Sequence, residues 1–209
     1  MAGIADLLNS DLGRQIIGGV SSEAGTSQQE TSSVLSMALP VLMGAMQKNA
    51  SSPEGASSLL GALSGSKHTG GILDNLGGFF GGGVNQEDEQ DGAGILGHIL
   101  GSKQSTVENA ISQKSGVSSG TVSKIIKIAA PILMGYLAKQ ARNQNVNSTE
   151  GLSGLLGNLM GGQGDKNQSL VTSLLDSDGD GSVLDDIAGM AFGGKKGGAG
   201  DLLGGLFGK

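Results

Sequence analysis

Nothing in these 209 residues can form a disulfide or a thiolate metal site, because the chain has no cysteine. The same absence removes cysteine nucleophiles, though it fixes no compartment. Tryptophan is also missing, and one tyrosine and four phenylalanines complete the aromatic set. A core must therefore be built from Leu, Ile, Val, Met and Ala, which suits packed helices better than a β-sandwich. Only two histidines are present, His68 and His98, both in Gly/Ser surroundings with no acid partner placed by the sequence. They are expected at the surface, and a hydrolase would rest on them alone. Gly81-Gly82-Gly83 lacks the Lys-Ser/Thr pair that would make it a phosphate loop. The chain is therefore read as a non-enzyme. Long apolar runs are missing too. The longest, residues 128–134, is interrupted by Pro131 and is too short to span a bilayer. The opening MAGIADLLNSDLGRQII has no basic n-region or long apolar stretch, so no signal peptide is seen and a cytoplasmic location is expected.

What is abundant is glycine, 40 residues gathered between the apolar runs, which points to irregular segments between helices. What is repeated is a stretch of the chain itself. Residues 24–49, AGTSQQETSSVLSMALPVLMGAMQKN, align without a gap on residues 115–140, SGVSSGTVSKIIKIAAPILMGYLAKQ. Gly25 falls on Gly116, Ser32 on Ser123, Pro40 on Pro131, and Leu42-Met43-Gly44 on Leu133-Met134-Gly135. Upstream, the amphipathic residues 4–20 match residues 95–111, each read as one segment with apolar residues near helical spacing. Gly19 and Gly25 read as punctuation. Thr26 or Ser27, and Ser118, are placed to cap the next helix. That helix carries the stripe Val34, Leu35, Ala38, Val41, Leu42, Ala45, Met46 in the first copy, and Ile125, Ile126, Ala129, Ile132, Leu133, Tyr136, Leu137 in the second. Pro40 and Pro131 lie inside the stripes, where a proline costs about 3 kcal/mol, so a kink or a break into two helices is expected.

The downstream parts also correspond. Pro53-Glu54-Gly55 precedes Leu59, Leu60 and Leu63, as Thr149-Glu150-Gly151 precedes Leu155, Leu156 and Leu159. Gly71-Ile72-Leu73-Asp74-Asn75-Leu76 matches Ser182-Val183-Leu184-Asp185-Asp186-Ile187. The organisation read from this is all-α: a tandem duplication of a small helical bundle module with Gly-rich irregular segments. The first copy is residues 1–83, an acidic and Gly-containing linker is residues 84–94, the second copy is residues 95–194, and a Gly-rich tail is residues 195–209. Charge divides unevenly, with ten acids and three bases in residues 1–91 against nine acids and ten bases in residues 92–209.

The repeated unit resembles the bacterial family known as domain of unknown function 937, the YidB-like family. The residues that carry the resemblance are Gly116-Val117-Ser118, Val122-Ser123-Lys124-Ile125-Ile126 and Pro131-Ile132-Leu133-Met134-Gly135. The first copy departs from it with Thr26 for Val117 and Glu30 for Thr121. The resemblance implies a homeodomain-like helical arrangement and no enzyme activity.

Two motifs carry chemistry. Asp176, Asp178 and Asp180 stand at positions 1, 3 and 5 of a loop spanning residues 176–187, with Gly181 at 6 and apolar Val183 at 8. This is the pattern of a Ca²⁺ loop, in which alternating carboxylates converge, glycine allows the bend and the Ser182 carbonyl adds a ligand. Position 12, where an EF-hand has a bidentate Glu, is Ile187, so Asp185 or Asp186 would have to substitute and the site is expected to be weak. The first copy has Gly65, Lys67 and Thr69 at the matching acidic positions. The bland alternative is a solvated Asp/Gly turn.

The second motif lies in residues 107–127. Gly116-Val117-Ser118, with Thr121-Val122-Ser123-Lys124, resembles the helix-turn-helix of LacI-type repressors, in which the second helix enters the major groove. Six bases lie between Lys103 and Arg142 against Glu108 alone. The competing reading is a helical turn used for packing, since the second helix runs on into Ala129-Ala130-Pro131-Ile132. Together these point to a non-enzymatic scaffold or interaction protein with a weak Ca²⁺ loop, and with a protein partner or self-association through its Gly/Leu segments. A DNA-binding regulator is the alternative.

Overall fold

The computed structural model describes residues 4–65 and 71–161. Every regular element among them is a helix: α1 (Ile4–Asn9), α2 (Asp11–Ala24), α3 (Gln28–Asn49), α4 (Pro53–Ser64), α5 (Gly71–Asp74), α6 (Leu76–Gly81), α7 (Gln86–Leu100), α8 (Gln104–Ser115), α9 (Ser119–Asn143) and α10 (Thr149–Gly161), with a 3-10 turn, Gly101–Lys103, before α8.

Local chemistry sets most boundaries. Gly25 and Gly116 end α2 and α8 in the left-handed region, at φ 70° and 74°, where a Cβ would be strained. Two residues later Ser27 and Ser118 cap α3 and α9, accepting the N–H of Glu30 and of Thr121 at 3.1 and 3.2 Å. At α3 the Glu30 side chain reaches back to the Ser27 N–H, completing a capping box. The two long helices thus begin 91 residues apart, at Gln28 and Ser119.

Several expectations change. The segment at residues 4–20 is not continuous: the Ser10 side chain accepts the Gly13 N–H at 3.1 Å and starts a new helix. A Cβ on Gly13 would lie 2.1 Å from the Leu7 carbonyl, so the corner between α1 and α2 needs a glycine there. Residues 95–111 divide at the matching position, Gly101, where φ is 56°. Gly19 does not punctuate the chain. It lies within α2, where its missing side chain admits the Phe80 ring, 2.2 Å from the place a Cβ would occupy. Of the two outcomes expected at Pro40 and Pro131, a kink or a break, the break does not occur: α3 and α9 run through them. Leu39, Val41, Leu42 and Met43 on one side, and Ala130, Ile132 and Leu133 on the other, are all buried. Tertiary burial of this run outweighs the proline penalty of about 3 kcal/mol.

The stretch read as a charged linker is mostly helix. Asn85 caps α7 by accepting the Asp88 N–H at 2.9 Å, and Glu87, Asp88 and Glu89 sit in the first turn, where they complement the helix dipole. Farther along, Gly92 is buried against α9. A Cβ at Gly92 would lie 2.0 Å from the Lys127 carbonyl oxygen. That carbonyl is the one whose helical donor would be residue 131, a proline without an N–H.

The core is one apolar cluster drawn from both halves of the chain, with α3 and α9 at its centre. Leu35, Leu42, Met43 and Met46 of α3 are fully buried, as are Ile125, Ile126, Ile128 and Leu137 of α9. Packing across the centre is reciprocal: α2 lies on α9 and α8 on α3, while α4 lies on α9 and α10 on α3. By length and composition α9 could cross a membrane, but 78% of its apolar window is buried inside the bundle, as suits a core helix.

Candidate functional site

The residues singled out around the glycine turn join two helices. α8 and α9 are joined by Gly116, Val117 and Ser118, and the turn is closed by the Ser112 hydroxyl donating to the Val117 carbonyl at 2.6 Å. The Val117 N–H donates to the Ser115 hydroxyl oxygen at 3.2 Å. One face of the motif is core: Val107, Ile111, Val117, Val122, Ile125 and Ile126 are buried. The other face exposes Lys114, Ser118, Ser119, Gly120 and Lys124, with Lys127 half-buried.

Glu108, the lone acid among the bases of this region, has a defined position. Its Oε1 accepts from Gln104 Nε2 at 2.8 Å and from the Ser123 hydroxyl at 3.0 Å, tying α8 to the second turn of α9. The carboxylate therefore stands beside the outward part of α9. Of the six bases, Lys139 is engaged elsewhere, pairing with Asp74 at 2.7 Å.

The matching motif, α2–turn–α3, is built differently. The Thr26 and Thr31 hydroxyls bond each other at 2.8 Å, and Thr31 is fully buried. Glu30 receives the Ser27 hydroxyl at 2.7 Å, and these Ser27 contacts hold its carboxyl below the usual carboxylate range. Beside this turn lies an open groove of about 720 Å³ lined by Arg14 and Ile17 of α2, Gln28, Gln29, Glu30, Ser32, Ser33 and Ser36 of α3, and Ser115 at the end of α8. Its two charged groups are already occupied, Arg14 by Asp11 and Glu30 by Ser27. The groove offers amides and hydroxyls.

The proposed calcium ligands, Asp176, Asp178, Asp180, Ser182, Asp185 and Asp186, lie outside the described residues, as does His68. Among the described residues no group of three or more His, Asp or Glu is placed to hold a metal. His98 is exposed near the end of α7, and its backbone carbonyl accepts from Asn49 Nδ2 at 3.2 Å. Burial pushes the Tyr136 phenol up from its ordinary value, so it stays neutral near pH 7.

Residues 6–140 match a family model described as a bacterial protein of unknown function, DUF937. The chain belongs to this family. The match runs from α1 to the last turns of α9 and takes in both helix-turn-helix segments, while the aspartate loop lies beyond it. No curated protein and no solved structure matches the chain. In this DUF937 protein sequence reasoning missed the groove and the clamp formed by Gln104, Glu108 and Ser123. The clamp had one signal, an acid alone among bases. The groove had none, since its lining comes from three separate helices.

Proposed function

We propose that this DUF937 chain is a non-enzymatic interaction protein made of two copies of one helical unit, packed about an approximate two-fold axis. The observation that carries this reading is the reciprocity of packing: α2 on α9 answers α8 on α3, and α4 on α9 answers α10 on α3. An exchange of equivalent contacts is what a self-complementary interface produces between two like units. On this reading the helix-turn-helix segments serve packing, because the face following each glycine turn enters the shared core. The aspartate loop of residues 176–187 adds a weak Ca²⁺ site to the second copy, with Asp176, Asp178 and Asp180 as its main ligands. A rise in melting temperature in millimolar Ca²⁺ is expected, absent from the Asp176→Ala, Asp180→Ala double variant. A melting temperature indifferent to Ca²⁺ rejects the metal site.

A second reading, DNA binding, is favoured by the exposed Lys114 and Lys124 around the second turn. Against it stand Glu108 beside the same face and Glu30 at the matching place in the first copy. Fluorescence anisotropy of a labelled duplex at low ionic strength separates the two. The packing reading expects no binding. Salt-sensitive binding that is lost in a Lys124→Glu, Lys127→Glu variant overturns it in favour of DNA, because phosphate contacts release counterions.

A further inference from the structure

α5 and α6 are placed by three features: α5 rests on α9, α6 rests on α2, and Asp74 of α5 pairs with Lys139 of α9 at 2.7 Å. Phe80 of α6 fills the space left by Gly19 of α2. Among the described residues no element stands to α3 and α8 as α5 and α6 stand to α9 and α2. The matching surface is more open. Met37 and Ala45 of α3 are half-buried, where α9 has Ile128 at 0% and Tyr136 at 7% exposure. Lys48, which lies 91 positions before Lys139, is exposed and has no ion-pair partner among the described residues.

We infer that residues 182–191 of this same chain dock on that surface of α3 and α8, with Asp185 paired to Lys48. The inference rests on the reading of the two halves as copies. The occupant is specified residue by residue. Ser182-Val183-Leu184-Asp185-Asp186-Ile187 repeats Gly71-Ile72-Leu73-Asp74-Asn75-Leu76, so Asp185 takes the place of Asp74. Leu184 and Ile187 take the places of Leu73 and Leu76, which are buried in the first copy. Where α2 has Gly19 against Phe80, α8 has the larger Ala110, and the residue matching Phe80 is the smaller Ala191. The connection is also longer, residues 162–181 in place of 65–70, so reach does not limit the docking. Exposed ion pairs are worth little by themselves. The apolar residues hold the segment, and the Lys48–Asp185 pair sets its register.

Carbodiimide cross-linking of the unmodified full chain reads this register directly. The reagent activates a carboxyl, the neighbouring lysine displaces it to form an amide, and the reagent leaves as its urea carrying the oxygen. Peptide mapping by mass spectrometry is expected to find Lys139 joined to Asp74 and Lys48 joined to Asp185, the latter favoured over Lys48 joined to Asp176 or Asp201. A mixture of isotopically light and heavy chains is expected to show the link within one chain. Recovery of Lys139–Asp74 without Lys48–Asp185 overturns the docking while leaving the packing reading intact. Links from Lys48 spread evenly over the tail carboxylates, or formed only between chains, overturn it equally. Loss of the Lys139–Asp74 link removes the contact from which the inference is drawn, and the inference with it.

Discussion

Replacing Gly92 by alanine puts a methyl group where α7 rests on the backbone of α9. Two effects oppose each other. Alanine is the better helix former in a helix interior, by about 1 kcal/mol. The new Cβ, however, would stand 2.0 Å from the Lys127 carbonyl oxygen and 2.9 Å from its carbon, atoms of a buried helix backbone that cannot swing aside. Overpacking of this kind costs about 1–3 kcal/mol, and a backbone obstacle places it at the upper end, so the net loss is about 2 kcal/mol. For a chain of this size that lowers the melting temperature by roughly 4–8 °C. Gly94 and Gly97 of the same helix have nothing within 4 Å of a built Cβ and serve as matched controls. Gly97→Ala is expected to leave stability unchanged or raise it by up to about 1 kcal/mol. Thermal and urea melts followed by circular dichroism measure all three. A Gly92→Ala variant as stable as Gly97→Ala would refute the close approach of α7 to α9.

Three other outcomes are expected from the same contacts. Ser118→Ala removes the cap of α9 and should cost about 1 kcal/mol in urea unfolding. Glu108→Ala releases both Gln104 and Ser123 and should cost about 1.5 kcal/mol, since bonds to a charged acceptor exceed neutral ones. A double-mutant cycle with Ser123→Ala then isolates the inter-helix bond, and a coupling indistinguishable from zero would dismiss it. The folded-state carboxyl of Glu30 titrates below its ordinary 4.5, so its contribution is present above that value and is lost as pH falls through the lowered one. The stability difference between the parent chain and Glu30→Gln should therefore shrink in that acid window, which pH-dependent melts would register.

The parts of the fold that could be read in advance are those decided within a few residues. Gly25 and Gly116 announce left-handed helix ends, and Ser27 and Ser118 announce the helix starts beyond them, because capping is chemistry between neighbours. The apolar stripes of residues 34–46 and 125–137 likewise name the core helices. What misled was decided at a distance. The spacing of Leu7, Leu8 and Leu12 carries smoothly across Ser10, so nothing local shows that Gly13 must tuck under the Leu7 carbonyl. The acids of residues 87–91 have the composition of a solvated connection, and it is the Asn85 cap together with packing against α9 that carries the helix back over them. Pro40 and Pro131 read as kinks or breaks, and the break drops out once the burial of Leu39 and Ala130 beside them is known. Of the site, the glycine turn and its lysines were legible, whereas the engagement of Glu108 with Ser123 depends on how α8 meets α9.

The reciprocal packing bears on how the chain acquires its fold. α2 finds its resting place on α9 and α3 finds one on α8, each more than fifty residues away in sequence. Val84 must meet Glu23 across 61 positions, and Asn49 must meet Ile99 across 50. Helical bundles reach their native state quickly when their contacts are local, and slow as loop closure must precede the reward of burial. Every regular element here is a helix among the described residues, yet the contacts at its centre close loops of fifty residues and more. A chain cut between α4 and α5 would strip α8, α9 and α10 from α3, and α2, α3 and α4 from α9, so a nascent first part should stay unlocked until α9 is synthesised.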